Sequence, residues 1–254
     1  MTGQRRFWLL GPGIVVLFLA ARAMLSPGSQ MCGPVFVHGD RRGDCVALTF
    51  DDGPSEPYTG QVLDILQARG VKATFFLVGE NALRFPDSVR REAALGMEIG
   101  NHSMTHPNMI LRRPSSVFWE VAQTESILET LTGIRPRWFR PPHGFRDPRL
   151  FQQTRRLDLP VAGWSNMPKD WTTPGMDVIV QRVLNQLKPG DIILLHDGEN
   201  AMAGGDRSQT VRALPYILDG IAARGLKPVT LSELARKGGL GLRDYRRMEA
   251  YSDH

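Results

Sequence analysis

Short apolar runs alternate with amphipathic stretches along most of this chain. "VALTF" (46–50), "ATFFLVG" (73–79) and "MEIGNH" (97–102) read as strands, followed by "RWFRPP" (137–142), "LPVAGW" (159–164), "DIILLHD" (191–197) and "KPVTL" (227–231). Between them, apolar residues recur at helical spacing. In "YTGQVLDILQARG" (58–70), Val62, Leu63, Ile65 and Leu66 form one face and Gly70 supplies a stop. "PDSVRREAALG" (86–96), "PSSVFWEVAQTESILETLTG" (114–133), "MDVIVQRVLNQLKPG" (176–190), "SQTVRALPYILDGIAARG" (208–225) and "SELARK" (232–237) read as further helices, with Pro215 a kink candidate. Strands alternating with helices predict an α/β fold around a parallel sheet or barrel. No internal repeat is visible.

The two ends depart from this pattern. Arg5 and Arg6 precede an apolar run from Phe7 to Ala21, and "ARA" at 21–23 has the small residues of a cleavage site. That is the pattern of a signal peptide. The run is short for a spanning helix, and Gly11-Pro12-Gly13 interrupts it. Residues 1–25 are therefore expected to be a signal peptide or an uncleaved signal-anchor. The chain is expected to be exported to the periplasm, cell envelope or exterior, with membrane attachment through residues 7–21 if cleavage does not occur. Residues 26–43 are rich in Gly, Pro and charge and read as a linker and lead-in loop; 238–254 read as a loose tail. The span 44–237 is left as one domain.

Composition narrows the partners. The 254 residues carry a formal net charge of +5, with much of the basic excess near the ends, so no clustered basic face marks a nucleic-acid footprint. A monomer is expected. Cys32 and Cys45 are the only cysteines, and in an exported chain they are expected to form a disulfide.

Chemistry collects at the strand ends. "TFDDGP" (49–54) closes an apolar run with adjacent carboxylates, Asp51 and Asp52. Like charges that close disfavour joint ionisation unless a cation or an Arg offsets them. His102 and His106 in "NHSMTH" are four apart, and on a helical turn that spacing would put both imidazoles on one face. Alone the pair is a weak signal, since two surface histidines look the same. Either Asp51 or Asp52 could complete a ligand set that leaves a position open for water. Arg140 and His143 in "RPPHG" (140–144), Asp170 and Trp171 in "DW", and Leu194 and His196 in "LLH" (194–196) complete the candidates.

In this order these motifs resemble the polysaccharide deacetylase family, also called the NodB homology domain or carbohydrate esterase family 4. The resemblance covers about Gly43 to Lys237. It implies a distorted (β/α)-barrel, usually of seven strands, and assigns roles to individual residues. Asp52, His102 and His106 would hold a divalent metal, Zn²⁺ first, with Co²⁺ or Ni²⁺ also fitting. Asp51 would be the general base and Arg140 would hold it in place. His196 would be the general acid, tuned by Asp170, and the backbone N–H of His143 would serve the oxyanion. Trp171 and Leu194 would wall an acetyl pocket. Two positions depart from the family pattern: His143 stands where an aromatic, often Tyr, is usual, and Met167 replaces a frequent acid. The implied activity is removal of N-acetyl groups from a GlcNAc-containing polysaccharide such as peptidoglycan, chitin oligomer or exopolysaccharide. The alternatives are an O-acetyl esterase on a xylan-like polymer and a non-catalytic glycan-binding protein of the envelope.

Overall fold

The computed structural model describes residues 24–26, 28–199 and 205–239. Most of the segment proposed as a leader (residues 1–23) and most of the C-terminal tail lie outside these residues. Five strands form one parallel sheet: β1 (Cys45–Asp51), β2 (Thr74–Leu77), β3 (Glu98–Asn101), β4 (Ile192–His196) and β5 (Lys227–Val229). β1 is central. It pairs with β4 along Ala47–Asp51, with β2 at Thr49–Asp51 and with β5 at Cys45–Ala47.

Helices cover the outside. They are α1 (Tyr58–Ala68), α2 (Gly79–Arg84), α3 (Pro86–Ala94), α4 (Pro114–Thr132), α5 (Pro148–Arg156), α6 (Met176–Gln186), α7 (Ser208–Ala223) and α8 (Leu231–Leu234). α7 runs through Pro215 as one element. The strands are apolar on both faces because each face meets a different core. Val46, Leu48, Phe50, Phe75, Leu77, Ile193 and Leu195 pack with the helices, whereas Cys45, Ala47, Phe76 and Ile192 belong to a second cluster with Phe36 and Trp138. Period-two alternation therefore sends Thr49, Asp51, Leu194 and His196 to the barrel side.

The ring closes through single bridges instead of ladders. Phe139 pairs with both Asn101 and Val161, and Asn166 pairs with Ile193 of β4. Both "RWFRPP" and "LPVAGW" read as strands in sequence but make only these isolated pairings. Prolines 136, 141, 142 and 160 lack the N–H that a longer ladder would need. The lead-in segment packs on the barrel as well: Val35 and Phe36 are buried, and Phe36 bridges to Ala162.

The expected disulfide is not formed, and both cysteines are free thiols. Cys45 sits in the barrel-side cluster with Ala47 and Phe36. Cys32 packs against a separate cluster built around α4 and α5 that contains Val121 and Phe151. The two sulfurs are committed to different parts of the core. Intact mass after unfolding and alkylation without reductant should show two alkylated thiols. On the helix side, Phe75 is fully buried and stacks on Phe50 with ring centroids 5.0 Å apart. Phe75→Ala should cost about 3–5 kcal/mol of stability in denaturant unfolding.

Candidate active site

The strand ends bring most of the sequence candidates to one mouth. Asp51 is buried and faces Arg140, whose Nη1 donates to Asp51 Oδ1 at 2.6 Å and to Thr49 Oγ1 at 2.9 Å. Arg140 Nη2 donates to the Gly163 carbonyl at 2.8 Å, and its guanidinium lies 4.0 Å above the Phe76 ring. The side chain is wholly buried. Burial lowers its pKa, and the charge of Asp51 works in the opposite direction.

Beside Asp51, the backbone at Asp52 turns left-handed (φ 73°) and aims the second carboxylate elsewhere. His102 Nε2 lies 3.3 Å and His106 Nε2 3.1 Å from Asp52 Oδ1. One atom from each of the three residues falls within 4.8 Å of the others. The histidines do not share a helical face. β3 ends at Asn101, and a loop with positive φ at Ser103 (70°) and His106 (53°) folds the second imidazole back toward the first. Their ring centroids are 4.9 Å apart. His102 Nδ1 lies 2.7 Å from the Arg140 carbonyl. That oxygen can only accept, so Nδ1 carries the proton and Nε2 presents its lone pair to the cluster.

This set fits a divalent cation. Asp52 Oδ1 is buried without a hydrogen-bond partner, yet it faces two imidazole nitrogens. A lone pair from His102 pointing at an unpaired carboxylate oxygen calls for a positive charge between them.

His196 ends β4 on the same side. Its Nδ1 lies 2.9 Å from Asp170 Oδ1, and its backbone N–H donates to Asp170 Oδ2 at 2.8 Å. Thr210 Oγ1 donates to the same Oδ2 at 2.9 Å. Burial alone would lower the His196 pKa. The charge and hydrogen bond of Asp170, with the charges of Asp52 and Asp51, outweigh it and bring the imidazole to about 9. Trp171 stands edge-on to the ring at 5.0 Å, and Leu194 is buried two residues before His196 on the same strand face. His143 occupies a 3₁₀ turn, Pro142–Gly144, with φ 59°. The turn's own hydrogen bonds run from Gly144 N to Pro141 O and from Phe145 N to Pro142 O, which leaves the His143 N–H out of the turn. Its ring stands edge-on to His106 at 4.7 Å. Burial, with His106 and His102 nearby, lowers its pKa.

Several participants lay outside the candidate residues named from the sequence. Thr49 and Thr210 share the partners of Asp51 and His196. Asp197, fully buried, accepts from Thr59 Oγ1 at 2.6 Å. Burial raises its pKa, to about 7, against the hydrogen bond from Thr59. The dipeptide His196-Asp197 at the end of an apolar strand was the available hint.

The His196–Asp170 pair has a pH signature. The folded imidazole titrates near 9, above the ordinary value of about 6.5. Its contribution to stability is therefore complete below about 6.5 and is lost as pH rises through about 9. Asp170→Asn removes the counter-charge and leaves the burial. The His196 pKa should then fall below its wild-type value, read by NMR titration of the ring, and the stability gained on lowering pH from 9 to 6.5 should shrink.

Comparison with known proteins agrees with this geometry. The sequence profile described as "Polysaccharide deacetylase" matches residues 38–162. A chitooligosaccharide deacetylase of Bradyrhizobium sp. (strain ANU 289) is 38% identical over 205 residues, covering 78% of this chain and 94% of that protein. A peptidoglycan-N-acetylglucosamine deacetylase of Bacillus cereus is 39% identical over 193 residues, covering 75% and 88%. The crystal structure of a peptidoglycan N-acetylglucosamine deacetylase superposes with a TM-score of 0.74 at 35% identity, over 81% of this chain and 94% of its own. With a barrel of this shape and relatives this similar, the chain belongs to the polysaccharide deacetylase family and is a deacetylase of that family.

Proposed function

We propose that the protein is an exported, metal-dependent hydrolase that removes N-acetyl groups from a GlcNAc-containing glycan and releases acetate. The observation that carries this reading is the meeting at one mouth of three units: Asp51 held by Arg140, the Asp52–His102–His106 cluster, and the His196–Asp170 pair. The named activities of the relatives, on chitooligosaccharide and on peptidoglycan N-acetylglucosamine, support the substrate class. The charged and apolar pattern of residues 5–23 supports export.

Two imidazoles and one carboxylate suit Zn²⁺, with Co²⁺ and Ni²⁺ next. A divalent ion held there would act as a Lewis acid on the water and on the acetamide carbonyl. Asp51 takes the proton of the attacking water. Arg140 fixes the orientation of that carboxylate and compensates its charge. The backbone N–H of His143 donates to the oxygen that becomes negative as the carbonyl turns tetrahedral. His196, protonated near neutrality, delivers its Nε2 proton to the departing amine while Asp170 holds Nδ1. Trp171 and Leu194 bound the space for the methyl group. A histidine charged at this pH favours the amide reading over an ester, because an amine leaves poorly unless protonated.

Acetate release across peptidoglycan, chitin oligomers, an acetylated exopolysaccharide and O-acetyl xylan tests the proposal. Turnover of an N-acetyl glycan that is lost on chelation and restored by metal is expected; release from the xylan ester alone would replace it with the esterase reading. The two adjacent aspartates should separate in the same assay. Asp51→Asn should keep its metal and lose about 10²–10⁴-fold in rate. Asp52→Asn should bind metal weakly, with activity partly recovered in excess metal.

A further inference from the structure

We propose that Asn81, which has no part in the motifs above, is a positioning residue for Asp52. The inference rests on the ligand role proposed for that carboxylate. Asp52 is not glycine, yet its φ is 73°. Aspartate tolerates the left-handed region better than most non-glycine residues, but neighbouring groups hold this turn in place. The Asp52 carbonyl shows which groups do so. Asn81 is buried, and its Nδ2 donates to that carbonyl at 2.8 Å. The same amide donates to the carbonyl of Glu199 at 3.1 Å, three residues past His196. On the other side lies Gly198, where a Cβ would stand 2.3 Å from the Asp52 oxygen. The carbonyl is thus clasped between an amide donor and a position that only glycine can fill.

Asn81 sits on α2, whose first residues hold the neighbouring loops by backbone alone. Val78 N donates to Gly53 O, Gly79 N to Ser103 O and Glu80 N to Met104 O, each at 3.0 Å. A Cβ at Gly79 would stand 3.2 Å from Met104 Cα, so the backbone of this helix and of the His102–His106 loop approach each other closely. One turn of helix therefore fixes the loop after β1 and the loop after β3 against each other, and Asn81 extends the grip to the loop after β4. Every residue of the proposed ligand set lies on a loop tied to this turn. Asn81 acts on Asp52 through its main chain, and the quantity it sets is the distance from the carboxylate to the two imidazoles.

The test is metal affinity of the full chain, measured by competition for Zn²⁺ with a chromophoric chelator. Asn81→Ala and Asn81→Ser are compared with Asn166→Ala, which removes an equally buried amide bonded to the Val183 carbonyl at 2.9 Å. Unfolding midpoints of the metal-free proteins are recorded in parallel. Outer partners of metal ligands typically contribute 10–100-fold in affinity. The Asn81 variants should lose about that much, while Asn166→Ala loses stability and keeps wild-type affinity. Either folded Asn81 variant suffices, and serine covers the case in which alanine does not fold. Wild-type affinity in a folded Asn81 variant would overturn the inference alone, as would an equal loss in Asn166→Ala. A wild-type protein with no affinity for Zn²⁺, Co²⁺ or Ni²⁺ would overturn the metal reading and this inference with it.

Discussion

Two adjacent buried carboxylates at the end of the central strand are the constraint around which this barrel is arranged. Asp51 and Asp52 are 3% and 8% exposed, and neither can shed its charge into water. The fold separates them. Asp51 stays in strand geometry and meets a buried guanidinium, while the left-handed turn sends Asp52 toward two imidazoles. Burying an ion pair is expensive, and breaking one by deleting a partner typically costs about 3–5 kcal/mol. Arg140 offsets part of that expense with contacts to Thr49, Gly163 and the face of Phe76. Those contacts join β1, β2 and the segment "LPVAGW", so the charge balance of Asp51 also helps close the ring where regular ladders are missing.

Sheet and loops divide the work. The β2–β1–β4 ladder fixes the heights of Asp51 and His196, which are Cα partners in register. The loops fix direction, and they do so with strained backbone at Asp52, Ser103, His106 and His143. Positive φ at four such non-glycine positions around one mouth fits the general tendency of strain to gather where geometry serves function.

The regular parts of this architecture were legible in the sequence. The runs of β1, β2, β3 and β4 and the long helices α1, α4, α6 and α7 carry apolar patterns at the proper period, because they bury one face or both. α2 and α5 were not legible. α2 is one short turn, and α5 (PRLFQQTRR) has only Leu150 and Phe151 to mark an inward face. Its true signal is the cap, where Asp147 accepts from Arg149 and Leu150 just before Pro148. The motif residues could be named from the family resemblance, but the helical geometry assumed for His102 and His106 was wrong, because spacing says nothing about a left-handed residue between them. Partners such as Asn81, Thr59 and Thr210 are ordinary polar residues on or beside helices, and only the folded chain shows what they touch. The cysteine pairing failed for a related reason: nearness in sequence did not reveal that Cys45 is already committed to the barrel-side core.

The bond between His196 and Asp170 bears on proton economy. Because a carboxylate holds Nδ1, the ring can exchange protons with its surroundings only at its other nitrogen. The side chain as a whole is 12% exposed, so the ring has little open surface through which to exchange a proton. A proton given away there must return by the same route before the ring can give another. In the role proposed above for His196, the opening that admits substrate is also the one through which the ring regains its proton.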